Sequence, residues 1–164
     1  SAIEECPHVV IAAIEGNCIG GGLEIALACD LRLATPNTLY GIPAGKLGFP
    51  LSPTELRLVF DTVDRTTAAA LLLEGAMLDA RQALAAGLLT RVCEGLDEEL
   101  RATIARVRAL SAIATQEHKF WMRRLATDRS GRGIALGTEE FAQAMDFAER
   151  DEYRARVLGF LNRR

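Results

Sequence analysis

Apolar positions in the first part of the chain follow the spacing of buried strands around one short helix. Residues 9–14 are apolar on both faces, which is typical of a fully buried strand. Three consecutive glycines follow, and residues 23–29 are predicted to form a short, almost wholly apolar helix. Residues 30–35 alternate like a strand, and residues 38–42 predict another. Strand, glycine turn, buried helix and strand together indicate an α/β fold.

From residue 52 onward the apolar spacing becomes helical, and the polar residues that start helices can be identified. Ser52 and Glu55 stand three positions apart, which predicts a capping box. Asp64 and Asp79 are predicted to cap two further helices, each of which is ended by a glycine. A short strand is predicted over residues 88–93.

The second part of the chain is predicted to be helical, with no linker between it and the α/β part. The sequence therefore predicts an α/β part over 1–95 and a helical part over 96–164. The helices are predicted over residues 96–110, 112–126, 139–149 and 153–162, with a glycine-broken loop at 131–137.

Length and composition narrow the class of protein. The chain has 164 residues, 49% of them hydrophobic, which is enough for one sizeable core. Its apolar runs are too short to span a bilayer, and Glu4 and Glu5 stand where a secretory signal needs basic residues. We therefore expect a cytoplasmic protein that does not associate with membranes.

Charge and cysteine content argue against two classes of site. Basic residues concentrate in the C-terminal part, where they form solvated helix faces or, alternatively, a surface for an anionic cofactor. They alternate with acids, so nucleic acid is not an expected partner. The four cysteines form no CxxC pair and are predicted to be reduced, while His8 and His118 have no partners at ligand spacing. No metal site is predicted.

The stretch GNCIGGGLEIALACD, residues 16–30, carries the candidate chemistry. A P-loop requires Lys and then Ser or Thr after its last glycine, where this chain has Leu23 and Glu24. A dinucleotide-binding fingerprint requires a third glycine at the position of Ile25. Both nucleotide-binding motifs are excluded.

Glycines directly before a helix suit an oxyanion hole. Their backbone N–H groups can approach a ligand closely, and the helix N-terminus adds positive potential at the same point. Glu24, about one helical turn after Gly21, could exchange protons with the same substrate, and apolar surroundings would raise its pKa. Alternatively, the helix dipole alone favours an acid at this position, and the glycines serve tight packing. The segment by itself leaves both interpretations open.

A longer stretch, PHVVIAAIEGNCIGGGLEIALACDLRLAT, resembles the signature of the crotonase, or enoyl-CoA hydratase/isomerase, superfamily. There a P-V-I-A-A-I-x-G strand leads into G-G-G-x-E-L-A-L-A-C-D. The resemblance continues through LYGIPAGKLGF, LLLEGAMLDARQALAAGLLTRV and VLGFLNRR. It implies a crotonase-like α/β fold, with part of the ββα superhelix over 1–95 and a C-terminal helical oligomerisation region over 96–164. The match is to the C-terminal part, roughly two thirds, of the family's sequence, so a fragment or a natural short form is expected.

What the resemblance implies about function is an acyl-CoA thioester substrate and an enolate-like intermediate whose oxygen is held by two backbone N–H groups. Gly21 matches the glycine that donates one of them, and Glu24 matches one of two glutamates with which hydratases add water across a double bond. No tightly bound cofactor is expected, because coenzyme A enters as part of the substrate, and a homotrimer or hexamer is expected. The expected substrate-binding residues are Gly20, Gly22, Pro43, Ala44 and Phe160.

Departures from the family pattern leave the reaction open. The second hydratase glutamate is Ala44 in this chain, and the loop after Gly48 lacks the family's glycines. Enoyl-CoA hydratase-like chemistry is the first hypothesis, and isomerisation, decarboxylation or hydrolysis are alternatives. Glu55 and Asp61 could replace the missing acid, although both are predicted to be solvent-exposed. The family segment that carries the second oxyanion N–H is also not in this chain, so a catalytically silent acyl-CoA-binding or assembly subunit is the alternative from another class.

Overall fold

A computed structural model describes residues 1–127 and 146–162 of the chain, which divides into two units, Ser1–Ala109 and Leu110–Arg164. The first unit contains two three-stranded sheets. The first sheet has the order β1-β3-β6 and is parallel, and the second has the order β2-β4-β5, with β2 and β4 parallel and β4 and β5 antiparallel. The strands are β1 (Ile11–Ile14), β2 (Cys18–Ile19), β3 (Leu31–Ala34), β4 (Leu39–Gly41), β5 (Leu78–Asp79) and β6 (Arg91–Val92).

The helices of the first unit connect and cover these strands. Helix α2 lies between β1 and β3 along the chain, which pair in parallel and therefore need a crossover connection. A π-helical turn, Ala70–Glu74, directly continues α5. The helices are α1 (Ala2–Glu5), α2 (Gly21–Ala28), α3 (Ala44–Leu47), α4 (Pro53–Thr62), α5 (Arg65–Ala69), α6 (Ala80–Ala85) and α7 (Leu96–Ala109).

The predicted helix caps of the first unit are confirmed. The N–H of Ser52 donates to Glu55 Oε2 over 2.6 Å, and the N–H of Glu55 donates to Ser52 Oγ over 3.3 Å, which completes the capping box of α4. Asp64 accepts hydrogen bonds from two N–H groups at the start of α5, and Asp79 forms a second capping box at α6. The polar residues therefore specify where these helices begin.

Several details differ from the predicted elements. Helix α2 begins at Gly21, two residues before its predicted start, although glycine disfavours helix. The helix that Asp64 caps changes to a π-helical turn before it ends at Gly75. Strand β2 and helix α3 were not predicted, because elements of two and four residues carry no readable periodicity.

The core of the first unit is formed by one face of α2 and the elements packed on it. Leu23, Ala26 and Leu27 are buried at the i, i+3, i+4 spacing of a helix face. Helix α2 packs against α4, whose Val59 is fully buried in the same cluster. Tyr40 of β4 is also fully buried. The N-terminus of α2 lies beside the end of β4, where the N–H of Gly20 donates to the carbonyl oxygen of Gly41.

The described elements of the second unit are helical. They are α8 (Ala112–Thr127), a 3-10 turn (Asp146–Glu149) and α9 (Asp151–Leu161). Of the predicted helix over 139–149, only residues 146–149 are described, and the predicted loop at 131–137 lies outside the described residues. Among the described residues of both units, no helix has the length and apolar character needed to cross a bilayer.

Candidate active site

The glycine turn before α2 is held by two backbone hydrogen bonds. Gly20 is the N-cap of α2, with φ 58° and ψ −128°, a left-handed conformation that a residue with a Cβ rarely adopts. Its N–H donates to the carbonyl oxygen of Gly41 over 2.9 Å, and its own carbonyl accepts from the N–H of Glu24 over 3.0 Å. Ile19 is the partner of Gly41 in the β2–β4 ladder. The turn is therefore anchored to the end of β4.

The first backbone N–H groups of α2 are available to a ligand. At α4 and α6, the side chains of Ser52 and Asp79 occupy such a group, whereas Gly20 has no side chain that could do so. The N–H groups of Gly21 and Gly22 donate to no acceptor within residues 1–127 and 146–162. A methyl group built on either glycine meets no heavy atom within 4 Å. These two unpaired donors thus lie at the positive end of a helix.

Glu24 lies one turn further along the same helix and is partly buried. Burial raises the pKa of its carboxyl above the ordinary value of 4.5, and the negative charge of Glu55 raises it further. A carboxylate with a raised pKa is a stronger base than an ordinary glutamate. It is therefore better suited to taking up and returning a proton than an ordinary glutamate.

Pro43 and Ala44 follow β4 and border the glycine turn. Pro43 Cδ lies 3.9 Å from the position that a Cβ on Gly20 would take. Ala44 is the first residue of α3 and is only 6% exposed, as part of the hydrophobic core cluster. The position after Pro43 therefore offers a methyl group and no acid.

The structure thus brings Gly20, Gly21, Gly22, Glu24 and Pro43 together around one turn. Phe160, which the sequence also predicts to bind substrate, belongs to α9 of the second unit and is 67% exposed. Among the described residues, no cluster of three histidine, cysteine, aspartate or glutamate side chains could hold a metal ion.

Two residues contribute to the site in ways that the sequence did not predict. Gly41 supplies the carbonyl that holds Gly20, and a Cβ on Gly41 would lie 2.3 Å from Met77 Sδ. Glu55 was predicted to be solvent-exposed, and its carboxylate belongs to the exposed capping box of α4, from which its negative charge raises the pKa of Glu24. Asp61 forms an ion pair with Arg57, in which Oδ2 lies 3.0 Å from Nη1.

Residues 1–164 match the enoyl-CoA hydratase/isomerase family, and the chain belongs to this family. It is 33% identical over 156 residues to YngF of Bacillus subtilis strain 168, which covers 92% of this chain and 58% of that protein. It is 34% identical over 120 residues to the (E)-benzylidenesuccinyl-CoA hydratase of Thauera aromatica, covering 69% of this chain and 47% of the relative. The chain spans about half the length of the curated relatives that it matches.

A solved structure shares the fold over nearly the whole chain. The enoyl-CoA hydratase/carnithine racemase of Magnetospirillum magneticum superimposes with a TM-score of 0.89 and 32% sequence identity, covering 99% of this chain and 60% of that one. The crotonase-like α/β fold implied by the sequence resemblance is therefore confirmed.

Proposed function

We propose that this chain forms part of a site that acts on an acyl-CoA thioester through an oxyanion-stabilised enolate. The observation that carries this proposal is the pair of unoccupied N–H groups at Gly21 and Gly22, with Glu24 one turn away on the same helix. Membership of the enoyl-CoA hydratase/isomerase family supports the substrate class. The coenzyme A moiety would enter with the substrate, with no separate tightly bound cofactor.

In this proposal the N–H of Gly21 donates to the thioester oxygen as that oxygen gains negative charge. Because no Cβ stands in the way and the helix dipole points its positive end at the oxygen, the enolate is stabilised more than the neutral thioester. The family segment that would supply a second donor is not among these residues. The Gly21 N–H is therefore one half of the proposed oxyanion hole.

Glu24 would move the proton. In hydration, a water oxygen adds to the β-carbon, the water proton passes to the Glu24 carboxylate, and the electron pair of the double bond moves to the thioester oxygen. The electron pair then returns from the oxygen to form the bond between the α-carbon and the proton that Glu24 gives back, which restores the thioester carbonyl and the Glu24 carboxylate. Enoyl-CoA hydratase-like chemistry is the first candidate, because Glu24 matches a hydratase carboxylate.

Isomerisation of a β,γ-enoyl-CoA is the second candidate, and Ala44 favours it. There the Glu24 carboxylate takes a proton from the α-carbon, the electron pair moves to the thioester oxygen, and the same proton is returned to the γ-carbon. One acid suffices for this shuttle, whereas the two-carboxylate hydration mechanism needs a second acid at the position of the buried Ala44. Other enolate chemistry, such as decarboxylation or hydrolysis, remains an alternative.

The test is turnover of an α,β-enoyl-CoA and of a β,γ-enoyl-CoA by the full-length gene product. Hydration of the first supports the hydratase candidate, and conversion of the second to the first supports the isomerase candidate. Glu24→Gln is expected to lower either rate by about two orders of magnitude or more. Acyl-CoA binding near one per chain, with no turnover of either substrate, would favour a silent binding or assembly subunit. The predicted homotrimer or hexamer is tested by sedimentation of the same sample.

A further inference from the structure

The side chain of Tyr40 extends from β4 into the core of the first unit and ends in a hydrogen bond. Tyr40 is fully buried, and its hydroxyl oxygen lies 2.8 Å from Oγ1 of Thr38, a residue that is 2% exposed. Thr38 Oγ1 also lies 3.0 Å from the carbonyl oxygen of Thr35. A carbonyl has no proton to give, so both bonds form together when Thr38 donates to Thr35 and Tyr40 donates to Thr38. The two hydroxyl groups therefore form one short chain of hydrogen bonds.

This chain of hydrogen bonds lies where the first sheet is connected to the second. Thr35 directly follows β3, and its N–H donates to the carbonyl oxygen of Ile14, at the end of β1, over 3.1 Å. Tyr40 belongs to β4, the central strand of the second sheet. The connection from β3 to β4 is thus bonded to the first sheet at Thr35 and to the Tyr40 side chain through Thr38. The hydroxyl groups therefore help to fix where β4 lies relative to the end of β3.

The position of β4 in turn determines where the glycine turn lies. Tyr40 pairs with Cys18, and Gly41 pairs with Ile19, in the short ladder between β2 and β4. Directly beyond this ladder, the N–H of Gly20 donates to the carbonyl oxygen of Gly41 over 2.9 Å. So short a pairing is only marginally stable by itself, and it depends on side chains that anchor its strands in the core.

We propose that Tyr40 and Thr38 are positioning residues whose hydrogen-bonded hydroxyl groups hold β4 in place and, through the Gly41 carbonyl, set the position of the glycine turn and its Gly21 donor. Both side chains are buried, so they act on the turn through the backbone and not on a ligand. An oxyanion donor must be held closely, because a displacement of about 1 Å can reduce a rate by about 100-fold. The effect on turnover rests on the proposed function, whereas the effect on the turn does not.

Four substitutions separate this role from a general contribution to stability. Thr38→Val keeps the shape of the side chain but leaves the buried Tyr40 hydroxyl without its partner, whereas Thr38→Ser keeps the hydroxyl. Tyr40→Phe removes the donor and leaves Thr38 bonded to Thr35, so it carries the test if Thr38→Val does not fold. Thr103→Val is the matched control in α7: Thr103 is also 2% exposed, and its hydroxyl is hydrogen-bonded to two other side chains of that helix.

The first measurement is the NMR signal of the Gly20 amide in the full-length protein, observed with glycine-selective isotope labelling. We expect its proton signal to move upfield in Thr38→Val and in Tyr40→Phe, because the hydrogen bond to Gly41 becomes longer. The signal should keep its wild-type position in Thr38→Ser and in Thr103→Val. A loss of overall stability does not move the signal of the folded protein, so a purely structural role predicts no shift. If the signal stays in place in both Thr38→Val and Tyr40→Phe, or moves equally in Thr103→Val, the proposal is overturned.

The second measurement is turnover of whichever enoyl-CoA the full-length protein converts. In Thr38→Val we expect kcat to fall by about tenfold with KM unchanged, because the Gly21 donor binds the oxygen more strongly in the transition state than in the thioester. Thr38→Ser is expected to restore the wild-type kcat. A shifted Gly20 signal in a protein that turns over neither enoyl-CoA would support the coupling and remove the proposed function. Turnover with an unshifted signal would retain the function and remove the positioning role of Tyr40 and Thr38.

Discussion

The backbone N–H of Gly20 lies 2.9 Å from the carbonyl oxygen of Gly41, and this hydrogen bond joins the glycine turn to the end of β4. Both residues are glycines for different reasons. Gly20 needs a left-handed backbone, whereas Gly41 has no space for a side chain, because a Cβ there would lie 2.3 Å from Met77 Sδ and 3.3 Å from the carbonyl oxygen of Ala76. The positions of the Gly21 and Gly22 donors therefore depend on a backbone hydrogen bond between two other glycines.

Alanine substitution is expected to separate folding from function within the turn. Gly20→Ala should lower the free energy of unfolding by about 1–3 kcal/mol, because alanine is strained at φ 58°. Gly21→Ala should leave stability unchanged or raise it by up to about 1 kcal/mol, because its methyl group meets nothing and alanine favours helix. Gly21→Ala should nevertheless lose turnover, because that methyl group stands where the thioester oxygen would approach.

Urea denaturation of the two variants, alongside enoyl-CoA turnover, checks this pair of outcomes. The helix assignment at Gly21 would be contradicted by a Gly21→Ala variant that unfolds as easily as Gly20→Ala. The proposed oxyanion role would be contradicted by a stable Gly21→Ala variant with full activity.

Gly41→Ala should also destabilise the protein, by about 1–3 kcal/mol, because the new methyl group overlaps the Met77 thioether and crowds the Ala76 carbonyl. Met77 is 38% exposed and flexible, so part of the overlap can be relieved. Gly41→Ala is expected to cost less stability in a protein that already carries Met77→Ala than in the wild type, because the thioether is then absent. The cost that remains comes from the contact with the Ala76 carbonyl. Chemical denaturation of the four proteins gives the coupling energy, and a value of zero would show that the thioether is not the obstacle.

The raised pKa of Glu24 makes its contribution to stability depend on pH. A carboxyl with a raised pKa in the folded state stabilises the protein fully below its unfolded value of 4.5, and that contribution is lost as the pH rises through the folded pKa. Glu24→Gln should therefore match the wild type at pH 4 and become the more stable protein as the pH rises above the folded pKa of Glu24.

Denaturant unfolding of both proteins over this pH range measures the effect. A constant difference between wild type and Glu24→Gln across the whole range would mean that the Glu24 pKa is not raised.

The ion pairs of Arg57 make the stability of the protein depend on pH in the direction opposite to that of Glu24. Burial alone would raise the pKa of Glu4, but the hydrogen bond and charge of Arg57, together with the Ser1 amino group, lower it to about 2. Arg57 Nη2 lies 2.6 Å from Glu4 Oε1, and the side chains of Arg57 and Glu4 are 36% and 13% exposed, respectively. A lowered pKa adds stability above the unfolded value of 4.5, and that stability is lost as the pH falls from there towards about 2.

Arg57→Met should consequently lower the free energy of unfolding at pH 7 by about 1–2 kcal/mol, a range that allows for solvent screening of the partly exposed pair. The difference in the free energy of unfolding between the wild type and Arg57→Met should become smaller as the pH falls towards 2. Thermal unfolding at pH 7 and at pH 3 checks this, and a gap that widens on acidification would refute the assignment.

Local patterns in the sequence were sufficient for much of the fold. Ser52, Asp64 and Asp79 begin helices where they were predicted to, because a capping hydrogen bond joins residues two or three positions apart. Strands β1 and β3 were found within the predicted ranges, because a buried parallel strand has an apolar run that can be recognised without its neighbours. The family resemblance of the glycine stretch and the crotonase-like fold were likewise apparent from the sequence.

Tertiary structure alone decided how the candidate site is supported. The hydrogen bond from Gly20 to Gly41 requires β2 and β4 to pair, and two-residue strands have no periodicity from which that pairing could be inferred. The action of Glu55 on Glu24 requires α4 to pack against α2, which depends on side-chain packing in the core. The sequence by itself therefore determined the helix starts, the buried strands and the glycine motif, since these arise from contacts between near neighbours. The anchoring of the turn and the electrostatic surroundings of Glu24 were decided by contacts between segments that are distant in sequence.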